Sequence, residues 1–319
     1  MVPLVPLRTA ATCGLRAMMV DTNVNVNPAK QPPAPPPQPQ PSESLPAMPT
    51  TKPAFFTQEG DHFLPLPAAA NPWFDNAVAG GPLTGLFGHL IEQHDLAPPG
   101  FTVARMTIDI LGIVPSAPLL PTITAIRTGR QMQLHQITLT HADRPVAQCL
   151  VLVARELATP ATETSLDHPL PDAVPQAPFL AHGTLAKIVR TRPIEGSVTR
   201  PGRGIVWLAL DADIVAGYPA TAFAKACVFA DFGNGVGSAT HAYEWSFANL
   251  DVGIQWLREP QGDWCLLEAE TTSGGNGHAL ARTIMSDQTG IFAIATQTVF
   301  VAPGANTPRM QARSTATIG

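Results

Sequence analysis

The chain has 319 residues, of which 45% are hydrophobic and 13% charged, and its formal net charge is −5. That length can bury one large core or two medium ones, while the weak charge argues against nucleic acid as a partner. No apolar run reaches the ~18 residues that a membrane span needs. The four cysteines are too far apart for a zinc motif. We therefore expect a reduced cytoplasmic protein without a metal or cofactor.

A proline-rich segment opens the chain. Residues 31–49 contain nine prolines among Gln, Ser and Ala, a composition that favours polyproline II and cannot form a packed core. Residues 1–52 are therefore predicted to be a disordered N-terminal extension. The first twenty residues contain Arg8 and Arg16 and no acid, which is faintly similar to a transit peptide, and a disordered leader is the preferred interpretation.

The first folded unit is predicted to span residues 53–157. Pro82 suits the first turn of a helix, where its missing N–H costs nothing, and a single-face helical spacing follows it. The apolar positions on that face are Leu83, Leu86, Phe87, Leu90 and Ile91. This pattern predicts a helix at 82–94, and alternating segments predict strands near 101–114, 121–128, 131–141 and 146–156.

The second folded unit repeats this plan after a linker at 158–184 that lacks periodicity. It is predicted to span residues 185–305, with a helix at 219–231 and a tail at 306–319. Its strands are predicted near 244–257, 264–272, 278–286 and 291–302. One helix against a long antiparallel sheet, made twice, is an α+β architecture.

A short motif recurs on the first strand after each helix. It reads Thr107-Ile-Asp-Ile110 in the first unit and Asn249-Leu-Asp-Val252 in the second. An internal repeat of this size implies two copies of one fold packed together, with a site between them.

The order of elements and the residues at their junctions resemble the acyl-CoA thioesterase II family of double-hotdog proteins. The matching segments are 79–81, 127–130, 145–148, 249–251, 264–272 and 287–297. The resemblance covers about residues 55–302 and implies a double hotdog, with one continuous antiparallel sheet wrapped around two central helices. It also implies a hydrolase in lipid metabolism that acts on acyl-CoA or a related acyl thioester.

In that family a water-activating trio of Asp, Thr or Ser, and Gln comes from the second hotdog, and the match implies Asp251, Thr272 and Gln297 here. Thioester hydrolysis needs a base for the attacking water and donors for the developing oxyanion. Asp251 would accept the proton while Gln297 and Thr272 hold the water. The family often has His after the aspartate, where this chain has Val252. Strand alternation places Thr271, rather than Thr272, on the apolar face, whereas the match favours Thr272.

The first unit is expected to lack this trio. Matching the turn at Asp143 with the turn at Asp287 puts the apolar stretch around Leu152 opposite Gln297. Its expected contribution is the helix start at Gly80 and Gly81, whose free N–H groups could face a thioester carbonyl or a phosphate. The alternative role of the glycine pair is close helix–sheet packing.

Asp231, at the end of the second helix, is interpreted as serving the helix terminus and the following turn. Two other functions stay open: a non-catalytic acyl-CoA-binding protein, and an enoyl-CoA hydratase or dehydratase. The hydratases resemble one another by an Asp and a nearby His at the hotdog loop, and neither Asp75 nor Asp231 is followed by such a His. A homo-oligomer is possible, since the ends of a long sheet often need covering.

Overall fold

A computed structural model describes residues 52–162, 164–180, 184–241 and 244–304. The predicted N-terminal extension, apart from Lys52, and the predicted tail lie outside the described residues. The α-helices are α1 (Gly80–Gln93), α2 (Leu185–Ile188), α3 (Ala222–Ala230) and α4 (Gly233–Val236). None of the described helices is long and apolar enough to cross a bilayer.

Four strands follow α1, as predicted, whereas five follow α3, because the strand predicted near 244–257 is divided at Leu250. Those of the first half are β1 (Ala54–Glu59), β2 (His62–Pro65), β3 (Phe101–Ile110), β4 (Leu120–Thr128), β5 (Met132–His141) and β6 (Arg144–Arg155). Those of the second half are β7 (Val189–Glu195), β8 (Gly204–Leu210), β9 (Asp213–Val215), β10 (Trp245–Asn249), β11 (Asp251–Trp256), β12 (Cys265–Ser273), β13 (His278–Asp287) and β14 (Gly290–Pro303).

One long antiparallel sheet contains strands of both halves. Its order is β4-β5-β6-β3-β11-β14-β13-β12-β8-β7, and β10 also pairs with β14. The halves meet where β3 pairs with β11, with Thr107 opposite Gly253 and Asp109 opposite Asp251. The predicted α+β double hotdog with a continuous sheet is thereby confirmed. A small sheet, β2-β1-β9, adds a second connection between the halves.

The helix α1 buries the apolar face that its spacing predicts. Each of these side chains is at most 2% exposed: Leu83, Leu86, Phe87, Leu90 and Ile91. Burying a side chain of this size contributes roughly 1.5–3 kcal/mol, so this face accounts for a large part of the stability of the first half.

Glycines let α1 approach α3 closely. A β-carbon on Gly85 would lie 2.6 Å from Cγ2 of Val228, and one on Gly88 would lie 2.9 Å from Sγ of Cys227. Thr84 Oγ1 donates a hydrogen bond across the contact to the Cys227 carbonyl at 2.7 Å. The relative position of the two helices is therefore set by backbone-to-side-chain contact, which also determines what meets at their ends.

Candidate active site

A cavity of ≈ 460 Å³ lies where the N-terminus of α1 meets the C-terminus of α3. Its walls come from both halves and are mostly apolar. Apolar lining residues include Trp73, Phe74, Val78, Leu83, Ile110, Val114, Leu185, Val198, Phe247 and Leu250. Among the described lining residues, Asp231 is the only one with an ionisable side chain. A mostly apolar cavity with a few convergent polar groups is typical of a small-molecule site.

The start of α1 packs directly on Asp231, the residue that follows α3. A β-carbon on Gly80 would lie 2.4 Å from Oδ1 of Asp231, so this position has room only for glycine. The N–H of Gly81 donates a hydrogen bond to the Asp231 carboxyl group. The positive end of the α1 dipole therefore faces this carboxylate.

Two amide side chains complete the cluster around Asp231. Asn249 Nδ2 donates to Asp231 Oδ1 at 2.8 Å and to the Asp231 carbonyl at 3.0 Å. Gln297 Nε2 donates to the same carbonyl at 2.6 Å, and Gln297 Oε1 accepts from the N–H of Asn234 at 2.8 Å. The end of β10 and the middle of β14 thus both bond Asp231, at the end of α3.

This carboxyl group has an unusual pKa. Burial raises the pKa of Asp231 to about 7, and the hydrogen bonds from Asn249 and Gly81 offset only part of that rise. A carboxylate with a pKa near neutrality takes up a proton far more readily than an exposed one, which suits a general base.

Asp251 does not join this cluster. Its neighbour Val252 and the next alternate residue, Ile254, are fully buried in the core, so Asp251 points to the opposite face of the sheet. There its Oδ1 accepts a hydrogen bond from the N–H of Thr298 at 2.8 Å. Of the trio implied by the resemblance, Gln297 is buried beside Asp231, whereas Asp251 lies on the outer face.

Thr272 also points away from the cluster. It is exposed on β12, whereas Thr271 is 9% exposed and faces inward. Thr271 Oγ1 donates to Oδ1 of Asn234 at 3.4 Å. The inward threonine is therefore Thr271, as strand alternation indicates, whereas Thr272, which the family match favours, faces away from the cluster.

In the first half, the residue that corresponds to Gln297 has no side-chain amide, as expected. It is, however, a different residue from the one that the turn alignment indicates. The side-chain amide of Gln148 donates to the Asp109 carboxylate at 2.9 Å, and the backbone N–H of Thr298 donates to the Asp251 carboxylate at 2.8 Å. The residue before Gln148 is Ala147, which is fully buried. Ala147, and not Leu152, therefore corresponds to Gln297.

The helix N-caps Ala79 and Thr221 are separated by the same number of residues as Asp109 and Asp251. This separation places His89 at the position of Asp231. His89 is 9% exposed and its Nε2 has no hydrogen-bond partner among the described residues. Burial, followed by the charge of His94, lowers the pKa of His89 to about 4. The first half thus has a neutral imidazole where the second has a carboxylate.

Asp231 and Asn249 lie in this cluster and were not among the candidates chosen from the sequence. Asp231 follows an apolar helix and precedes Phe232-Gly-Asn-Gly235, a glycine-rich turn. Asn249 stands two residues before Asp251 in the repeated motif, but it ends β10 whereas Asp251 begins β11, and only Asn249 faces the cluster. The glycine pair at 80–81 was the strongest available signal, because it indicated that another group comes close to the helix start.

Comparison with known proteins agrees with this architecture. A family model described as an acyl-CoA thioesterase N-terminal domain matches residues 69–154, and one described as an acyl-CoA thioesterase C-terminal domain matches residues 162–301. Together they cover more than half of the chain. No curated protein matches the chain by sequence.

Solved structures share the fold at low sequence identity. The tesB protein of Mycobacterium avium subspecies paratuberculosis superposes with a TM-score of 0.57 at 15% identity, over 78% of this chain and 96% of that one. The acyl-CoA thioesterase II TesB2 of Mycobacterium marinum gives 0.57 at 16% identity, over 79% and 97%. A conserved hot dog fold protein from Alicyclobacillus acidocaldarius gives 0.60 at 17% identity, over 77% and 95%. At these identities the likeness concerns the fold.

Proposed function

The chain belongs to the acyl-CoA thioesterase family, and we propose that it hydrolyses acyl-CoA or a related acyl thioester with Asp231 as the general base. The observation that carries this proposal is the Asp231 carboxyl group, which lies at the cavity, is held by Asn249 and Gly81, and has a pKa raised to about 7.

The proposed reaction begins with a water molecule beside Asp231. The carboxylate takes one proton from this water while the oxygen attacks the thioester carbonyl carbon, and a tetrahedral intermediate forms. The carbon–sulfur bond then breaks, and the departing thiolate takes the proton back from Asp231. The products are a free acid and a thiol, and Asp231 is regenerated as a carboxylate.

The remaining groups have separate roles in this proposal. A glutamine amide nitrogen has two N–H donors, and Gln297 uses one of them on the Asp231 carbonyl, so the other is available to hold the water. The first turn of α1, beginning at Gly80, lies on the same cavity. Its dipole favours the negative charge that develops on the carbonyl oxygen.

The apolar cavity walls suit the acyl chain of the substrate. Transfer of each methylene from water to such a wall contributes about 0.8 kcal/mol. A role in lipid metabolism follows from this substrate class. A cytoplasmic location is supported by the three buried cysteines of the described chain, Cys149, Cys227 and Cys265, which are free thiols.

A thiol-release assay with a panel of acyl-CoAs tests the proposal. The wild-type protein should release CoA from at least one member, and Asp231→Asn should lower kcat by ~10²–10⁴, the usual contribution of a general base. Asp251→Asn is the matched control, because it removes the same charge on the outer face. Release by wild type that persists in Asp231→Asn but not in Asp251→Asn would overturn the assignment of the base.

A further inference from the structure

Gly235 has no side chain at a place where the fold leaves room for one. It lies in α4 and lines the cavity, and a β-carbon built on it would have no heavy atom within 4 Å. Its backbone is not among those with positive φ, so the conformation does not call for glycine.

The neighbouring glycines differ from it. A β-carbon on Gly233 would lie 2.2 Å from Oγ1 of Thr283, and one on Gly237 would lie 2.1 Å from the carbonyl of Ala269. At those two positions packing against the sheet excludes any side chain. Gly235 is half-buried, and yet a β-carbon on it would have no heavy atom within 4 Å. The free space beside it therefore belongs to the cavity that it lines.

This space adjoins the catalytic cluster. The residue before Gly235 is Asn234, whose N–H is bonded to Gln297, and Gln297 is bonded in turn to Asp231. The apolar residues Val198 and Phe247 line the same cavity. A group bound at Asp231 can therefore continue past Gly235 along an apolar wall.

We propose that Gly235 determines substrate specificity: its missing side chain keeps the cavity open for the acyl chain of a long-chain acyl thioester. The proposal rests on the proposed thioesterase function, because it assumes that the acyl group lies in this cavity. A side chain at position 235 would occupy the path of a long acyl chain and would leave space for a short one.

Gly235→Ala, Gly235→Val and Gly235→Leu test this proposal in the full-length protein. We expect kcat/KM for palmitoyl-CoA, relative to butyryl-CoA, to fall progressively along this series. Pocket changes of one methylene alter such ratios by about 10- to 200-fold, so the leucine variant should lower the ratio at least tenfold. The melting temperature of Gly235→Ala should not fall, since its β-carbon would have no heavy atom within 4 Å.

Ala125→Leu provides a comparison. Ala125 is exposed on β4 and is not one of the residues that line the cavity, so the leucine side chain would extend into solvent. The palmitoyl-to-butyryl ratio should therefore be the same as in wild type. An unchanged ratio in Gly235→Leu, or an equal loss for both substrates, would overturn the proposal.

A binding measurement separates this proposal from the proposed reaction. Titration with non-hydrolysable thioether analogues of palmitoyl-CoA and butyryl-CoA does not depend on catalysis. Gly235→Leu should weaken binding of the palmitoyl analogue selectively, even if the wild-type protein hydrolyses neither ester. Wild-type protein that binds neither analogue, or a leucine variant that binds both as wild type does, contradicts the role of Gly235.

Discussion

Gly80 and Asp231 are in such close contact that a β-carbon on the glycine would lie 2.4 Å from Oδ1 of the aspartate. This contact joins the first residue of α1, from one half, to the residue that ends α3, from the other. The carboxyl group is consequently buried against a helix N-terminus, and its pKa is raised to about 7. The cluster therefore depends on the packing of both halves, although its side chains come from the second.

The Gly80→Ala variant tests this contact. In an unconstrained helix, alanine would be more favourable than glycine by ~1 kcal/mol. Here the added methyl group overlaps the Asp231 carboxyl group, so we expect a lower melting temperature and a kcat reduced at least about tenfold. Gly235→Ala, where the methyl group meets no neighbour, is the matched control and should not lower the melting temperature. A fully active and stable Gly80→Ala protein would show that this close contact is not required.

The pH dependence of hydrolysis should follow the ionisation of Asp231. Because the pKa of this carboxyl group is raised to about 7, it is protonated and inactive as a base in acid. We expect kcat/KM to rise about tenfold per pH unit below pH 7 and to level off above it, as for a single essential base. Steady-state kinetics between pH 5 and pH 9 measure this profile, and a flat profile through pH 7 would contradict the assignment.

The same raised pKa predicts an effect on stability. The folded protein binds the Asp231 proton more tightly than the unfolded chain, for which a model value of 3.8 applies, so ionisation between pH 4 and pH 7 lowers the free energy of unfolding. Asp231→Asn removes this penalty. Its melting temperature should exceed that of wild type at pH 8, and the difference should shrink towards pH 4. A variant less stable than wild type at pH 8 would contradict this expectation.

Gln297 and Asp251 should differ sharply in their effects on activity. Gln297→Ala removes the hydrogen bond that the Asn234 N–H donates to Gln297 and one of the two that the Asp231 carbonyl accepts, while the bond from Asn249 remains. We therefore expect kcat to fall, by less than in Asp231→Asn. A lost buried bond of this kind also costs about 1–3 kcal/mol in unfolding free energy, which urea denaturation measures. Asp251→Asn changes a group on the outer face and should leave kcat unchanged. Loss of activity in Asp251→Asn together with full activity in Asp231→Asn would restore Asp251 as the base, as the resemblance implies.

Thr271 and Thr272 form a matched pair of adjacent residues on opposite faces of β12. Thr271→Val removes the hydroxyl bonded to Asn234, the residue that orients Gln297. We expect it to lower kcat several-fold with little change in KM, while Thr271→Ser restores kcat. Thr272→Val should behave as wild type, because this side chain is exposed. Equal kinetics for the two valine variants would show that Thr271 does not act on Gln297.

Local patterns in the sequence determined much of the fold. The spacing of Leu83, Leu86 and Leu90 predicted a buried helical face, and the turn between His141 and Arg144 is formed by Ala142 and Asp143 with positive φ. These features depend on neighbours within a few residues, which is the range over which helix and strand periodicity operates. The isolated amide of Gln297 in an apolar strand was also evident, because a buried amide needs a partner.

The proposed general base could not be identified in this way. In the sequence, Asp231 is an ordinary helix terminus, and Asp251 stands out more clearly in its strand. The contacts of Gly80, Asn249 and Gln297 with Asp231 depend on how α1 packs on α3 and on the register of β10 and β14. Local patterns therefore specify the elements and the repeat, whereas long-range packing sets which carboxylate is buried beside the cavity and which faces outward.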